Sequence, residues 1–136
     1  MDALSMIDLI IDEHPQHKVI IGGDLNTELK GDSPFDALWQ ELMIKNHFAC
    51  CDHLVSSPSY TYRHDSLNQT KFNDHFIVSQ DLLEHGITSD HKILDEGENI
   101  SDHLPLLMKL SLQLHISSFM PKVESSHGNI DWKKNV

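Results

Sequence analysis

At 136 residues, with 39% hydrophobic and 23% charged residues, the chain has the size and composition of one globular domain able to bury a core of its own. Ten basic against twenty-one acidic residues leave a net charge of −11, which argues against a free-standing nucleic-acid binder but not against a metal-dependent enzyme on phosphates, where a bound cation changes the local electrostatics. No apolar run is long enough to span a bilayer, no basic-then-apolar leader opens the chain, and two adjacent cysteines make no disulfide framework, so no membrane association and a reducing compartment are expected.

The first predicted element is an amphipathic helix over 2–13, where Ala3, Ile7, Ile10 and Ile11 recur at helical spacing, Asp2 can cap the start and His14-Pro15 ends it. A strand over 18–22 follows. Its continuous run Val19-Ile20-Ile21 suits a parallel-type strand buried on both faces in the middle of an α/β sheet. Residues 28–33 form a polar loop, and Ser33-Pro34 opens a helix to about residue 45 with Phe35, Leu38, Leu42 and Met43 on one side. A short strand with its exit is expected over 48–55, a turn into a strand over 56–63, a polar loop over 64–69 and a return strand over 70–78. One helical turn at 79–83, a weaker strand at 87–94 and an acidic loop at 95–100 come next. The last strand, 104–114, alternates so that Leu104, Leu106, Met108, Leu110 and Leu112 face one way. Beyond it the composition turns polar, so the domain is drawn at 1–114 and a linker or disordered tail at 115–136, with Ile130-Asp131-Trp132 as an apolar island.

Chemistry-bearing residues fall at strand ends. Gly22 and Gly23 remove side chains where the first strand stops, and Asp24 and Asn26 follow at a spacing of two. If the chain stays extended, carboxylate and carboxamide project on one side into one pocket; otherwise these residues are turn punctuation. Asp74 lies in the return strand among Phe72, Phe76, Ile77 and Val78, where an unpaired charge is costly. Ser101-Asp102-His103 sits in the loop before the last strand. Either Asp74 accepts a hydrogen bond from a His103 ring nitrogen, or it pairs with Lys71 or Arg63 and Ser101-Asp102 is a turn. Asp90-His91 repeats the Asp-His pair inside a predicted strand and is left out. A small zinc module of His47, Cys50, Cys51 and His53 is disfavoured, because adjacent cysteines do not fit the usual spacing; His47 and the two cysteines are expected to face the core at a strand end.

Four stretches in order, Gly23-Asp24-Leu25-Asn26, Ser59-Tyr60-Thr61-Tyr62, Asn73-Asp74-His75-Phe76-Ile77-Val78-Ser79 and Ser101-Asp102-His103-Leu104-Pro105-Leu106, resemble the C-terminal half of the endonuclease/exonuclease/phosphatase superfamily, the DNase I-like fold. The resemblance covers about residues 2–114. Ile130-Asp131-Trp132-Lys133-Lys134 is similar to the segment after the endonuclease domain of LINE-type (non-LTR) retrotransposon polyproteins. What the resemblance implies is half of a four-layered α/β sandwich, one sheet flanked by helices, that hydrolyses phosphoesters with Mg²⁺ or Mn²⁺. Asp24 would orient or deprotonate the attacking water, Asn26 would hold that water or a phosphate oxygen, His103 would donate to the phosphate with Asp74 orienting it, and Asp102, with Asp24, would lie near the metal. The motifs alone leave DNA, RNA and lipid-headgroup phosphates open as substrates, and the similarity of residues 130–134 favours DNA.

In that superfamily the N-terminal half supplies a first-strand asparagine and the main metal-binding glutamate, and this sequence has no position onto which they carry over. A fragment is therefore expected, inactive alone, with an under-covered apolar face that takes the missing half or a dimer partner. The alternatives are a non-catalytic retroelement remnant, or part of a phosphatase acting on phospholipid or inositol phosphates. A retroelement origin would imply the nucleus.

Overall fold

A computed structural model describes residues 2–55 and 57–112, so the expected linker or tail at 115–136 lies outside the described residues. The described elements, in order, are α1 (Ala3–Glu13), β1 (Ile20–Asp24), α2 (Pro34–Lys45), β2 (Phe48–Cys50), β3 (Tyr62–His64), β4 (Gln69–Lys71), β5 (Asp74–Ser79), α3 (Gln80–Glu84), β6 (Thr88–Ile93) and β7 (Leu106–Leu110), with single 3₁₀ turns at Asp52–Leu54 and Asp65–Leu67. The result is a mixed α/β fold with antiparallel strand pairing throughout the described ladders. Among the described residues no helix is long and apolar enough to cross a membrane.

Local chemistry explains both long helices. Asp2 caps α1 by accepting the Ser5 N–H at 2.9 Å. At α2, Ser33 Oγ accepts the Asp36 N–H at 3.1 Å while the Asp36 carboxylate accepts the Ser33 N–H at 3.0 Å, a reciprocal capping box that buries Asp36. The expected apolar face of α2 is rotated: Trp39 and Leu42 are buried, whereas Phe35 and Leu38 are exposed. Lys45 bridges to Asp8 at 2.8 Å and ties α2 to α1.

The strand at the centre is β5, not β1. The three-stranded sheet has the order β1-β5-β2, and β1 runs antiparallel to β5 from Ile20 opposite Val78 to Asp24 opposite Asp74. Ile20, Gly22, Gly23 and Asp24 are exposed, so the apolar run covers an edge strand, and only Val19 and Ile21 lean onto the core. Gly22 lies flat against Phe76: a Cβ there would stand 2.5 Å from a carbon of its ring. His75, Ile77 and Val78 are fully buried in β5. Leu29, Trp39, Leu42, Phe48 and Ile77 form the main core cluster, and Cys51, Val78 and Leu82 a second.

Two further expectations are corrected. The strand read over 70–78 is two strands: β4 pairs with β3 in a separate ribbon, and β5 joins the main sheet. The break has a visible cause, since Thr61 Oγ1 accepts the N–H groups of both Asn73 and Asp74 at 3.0 Å. The strands are also distributed over one three-stranded sheet and two two-stranded ribbons, the second pairing β6 with β7, instead of one sheet. Along the last strand Leu104 is buried, Leu106 and Met108 are half-buried, and Leu110 and Leu112 are exposed, so the apolar stripe is covered only over its first half.

Candidate active site

The β1–β5 register sets Asp24 directly opposite Asp74, at the carboxyl end of β1 and the start of β5. His103 reaches them from the other side. An isolated bridge pairs it with Tyr62, the Arg63 N–H donates to the Asp102 carbonyl at 2.8 Å, and the Leu104 N–H donates to the Thr61 carbonyl at 2.7 Å. Residues 102–104 are thus held against β3, and the His103 ring lies tilted on Tyr62 with centroids 4.9 Å apart. Thr61 links both halves of the site, through its hydroxyl to the Asp74 backbone and through its carbonyl to Leu104.

His103 Nδ1 donates to Asp74 Oδ2 at 2.8 Å, and Nε2 lies 3.8 Å from Asp24 Oδ2. Asp74 is the more enclosed carboxylate, with 13% of its side chain exposed against 37% for Asp24. The hydrogen bond fixes the ring, which leaves Nε2 as the nitrogen facing Asp24. Burial alone would lower the His103 pKa, but the hydrogen bond and charge of Asp74, joined by the charges of Asp24 and Asp102, outweigh it and raise it above the ordinary histidine value. Beside the pair an opening of about 480 Å³ is lined by Gly22, Gly23, Asp74, Phe76, His103 and Leu104 among others.

Asn26 and Asp102 stand differently from the sequence expectation. The extended chain does not persist past Asp24, whose Oδ1 accepts the Asn26 N–H at 2.9 Å while Asn26 itself takes a positive φ of 53°. Asn26 is exposed beside Asp24, not aligned with it across an extended segment. Asp102 is exposed, and the residues whose ligand atoms lie within 4.8 Å of one another are Asp24, Asp74 and His103, without Asp102. Arg63 pairs with Asp65 at 2.7 Å, which leaves His103 as the partner of Asp74. His91 is buried in β6 with Nδ1 donating to the Cys51 carbonyl at 2.8 Å, and Asp90 pairs with Lys92 at 3.3 Å.

The four residues of the disfavoured zinc module do not converge. His47 is exposed at the turn before β2, Cys51 is fully buried in the second core cluster, and His53 donates to the Cys50 carbonyl at 3.0 Å. The core-facing expectation therefore holds for Cys51 and not for His47. Burial, followed by the Asp52 charge, pushes the Cys51 thiol up to about 11. Sequence reading missed His75, whose Nδ1 donates to Asp52 Oδ2 at 2.9 Å and whose Nε2 donates to the Thr27 carbonyl at 2.6 Å. Burial lowers its pKa and the hydrogen bond and charge of Asp52 raise it, with a net rise. The available signal was strand alternation, which turns His75 to the opposite face from Asp74.

Among solved structures the chain is similar to an endonuclease/exonuclease/phosphatase family protein from Leptotrichia buccalis C-1013-b, with a TM-score of 0.57 at 17% sequence identity over 82% of this chain. The two share a fold. The alignment spans 42% of the length of that endonuclease/exonuclease/phosphatase family protein. No protein-family model matches the chain, and no curated protein matches it in sequence. Within the shared fold, Asp24, Asp74 and His103 present one oriented N–H donor between two carboxylates at the mouth of an open cleft.

Proposed function

We propose that the chain is part of a metal-dependent phosphodiesterase, an endonuclease that cleaves DNA by water attack on the phosphodiester. The observation that carries this reading is the Asp74–His103 hydrogen bond with Nε2 turned toward Asp24. Asp74 holds the imidazole in one orientation and favours its protonated form, so that Nε2–H can donate to a phosphate oxygen. Asp24, the more open carboxylate, accepts a proton from the attacking water or orients it. Asn26, exposed beside it, is placed to bond that water or a phosphate oxygen. Such positioning and charge stabilisation are most of what phosphoryl transfer needs.

The donor set fits Mg²⁺ or Mn²⁺. Three carboxylates surround one imidazole here, so a phosphate polyanion meets net negative charge unless a dication intervenes. Asp24, the more open carboxylate of the converging group, would supply a hard oxygen ligand, and one or two carboxylates plus substrate oxygens are a usual complement for Mg²⁺. The ion's contribution would be neutralisation of phosphate charge.

The reading includes further polypeptide. Among the described residues β1 pairs only with β5, and a groove of about 1100 Å³ between α1, β1 and α2 is lined by Leu4, Ile7, Ile21, Leu38 and other apolar side chains. An N-terminal half, or a dimer partner, laid on this surface would complete the sandwich. The LINE-type origin rests on residues 130–134, outside the described residues.

The test is a plasmid-nicking assay in Mg²⁺, run with the chain alone and with the chain joined to a matching N-terminal half. The isolated chain should be inactive, and the joined protein should nick DNA, with Asp24→Ala and His103→Ala each abolishing turnover and Asp90→Asn leaving it intact. Release of phosphate from inositol phosphates without nicking would assign a phosphatase instead. No turnover from a folded joined protein would make the chain a non-catalytic remnant. Cleavage by the isolated chain, lost in Asp24→Ala, would overturn the dependence on further polypeptide.

A further inference from the structure

On the face of β5 opposite Asp74 stands a second cluster that the phosphodiesterase reading does not use. Cys50 closes β2, Asp52 opens the 3₁₀ turn that follows, and His75 lies in β5; their Sγ, carboxylate oxygen and ring nitrogen atoms all fall within 4.8 Å of one another. We infer that Cys50, Asp52 and His75 form a zinc site that fixes the loop after Asp24 relative to the strand carrying Asp74.

Three observations carry the inference. The donor set is mixed: thiolate, carboxylate and imidazole together suit Zn²⁺, whereas Mg²⁺ takes oxygen ligands. Next, the His75 side chain has no exposed surface and its Nε2 donates to the Thr27 carbonyl at 2.6 Å. A backbone carbonyl on the far nitrogen is the usual way a ligating histidine is oriented, and it leaves Nδ1 as the ligand. Finally, only 9% of the Asp52 side chain is exposed; its Oδ2 meets His75, but Oδ1 is buried without a hydrogen-bond partner among the described residues. A buried carboxylate oxygen with no donor is a place for a cation.

The geometry needs little adjustment. Two ligands each about 2.0–2.1 Å from a tetrahedral ion stand roughly 3.3 Å apart. The Nδ1···Oδ2 contact, now 2.9 Å, would open by a few tenths of an ångström, with the ion taking the place of the proton between them. Cys50 would lose its thiol proton to solvent, since a coordinating thiol is deprotonated by the ion. Cys50 is only partly buried, so the ion would be closest to solvent on the Cys50 side, where water could be a fourth ligand. Because Thr27 follows Asp24 by one short turn and His75 follows Asp74 directly, an ion here would brace both carboxylates of the candidate active site without touching them.

The test uses the chelator-stripped full chain titrated with Co²⁺, whose spectrum reports ligand type. Thiolate coordination should appear as a charge-transfer band in the near ultraviolet with strong visible bands of a tetrahedral ion, and added Zn²⁺ should bleach them while Mg²⁺ should not. Cys50→Ser should remove the charge-transfer band, Asp52→Asn should weaken Co²⁺ binding by at least about tenfold, and Cys51→Ser should keep the band. Circular dichroism of each metal-free variant checks that it folds; the wild-type titration decides the question even if one does not. No charge-transfer band in the wild type, or a band that survives in folded Cys50→Ser, would overturn the inference and leave Asp52–His75 as a plain buried ion pair.

Discussion

Replacing Asp74 by Asn should uncouple His103 in a way that depends on pH. The Nδ1–H···Oδ2 contact is 2.8 Å, a charge-assisted length. Hydrogen bonds to charged groups contribute about 1.5–3 kcal/mol, and with 30% of the His103 side chain exposed, screening reduces this to about 1–2 kcal/mol. The folded pKa of His103 is raised, so this stabilisation is complete below the unfolded value of about 6.5 and is lost as the pH rises through the folded value. Urea unfolding of wild type, Asp74→Asn, His103→Gln and the double variant gives the coupling energy directly. At about pH 6 the coupling should be about 1–2 kcal/mol, a midpoint shift of roughly 0.5–1 M urea for Asp74→Asn, and by about pH 9 only the smaller term of the neutral ring should remain. A coupling that is absent at low pH, or equal at both, would refute the ion-pair reading of the site.

Two other substitutions test the architecture around it. Ile77→Ala empties a fully buried position in the central strand and should cost about 3–4 kcal/mol in urea unfolding, a large part of what a domain of this size has. Ser33→Ala removes half of the α2 capping box and should cost about 1 kcal/mol, read the same way, because the Asp36 N–H loses its acceptor.

What was legible in the sequence followed from strong local chemistry. Asp2 and Ser33-Pro34 fixed the starts of α1 and α2, and leucines at alternate positions announced the strand that became β7. The Asp74–His103 pair could be named as one of two alternatives because a carboxylate among buried neighbours needs a partner. What failed depended on tertiary partners. Val19-Ile20-Ile21 reads the same at a sheet's centre or edge, and only the strand pairing shows that, among the described residues, β1 has β5 on one side and no strand on the other. The split of 70–78 depends on a side chain twelve residues upstream of Asn73, the Thr61 hydroxyl that takes two backbone donors. Asn26 could not be placed by alternation, because the Asp24 carboxylate turns the chain at that point. Trp39 was missed because the apolar positions of α2 exceed one face, and packing with Leu29, Phe48 and Ile77, not periodicity, decides which of them are buried.

The central claim, that Asp24, Asp74 and His103 act as one phosphoester site, is tested most directly by following the His103 imidazole resonances while a dinucleotide phosphodiester is added in Mg²⁺. The Nε2-side resonances should shift in step with ligand, the shift should require Mg²⁺, and Asp24→Ala should remove it while the buried His91 resonances stay in place. Resonances of His103 that do not move while the dinucleotide binds elsewhere on the chain would contradict the claim.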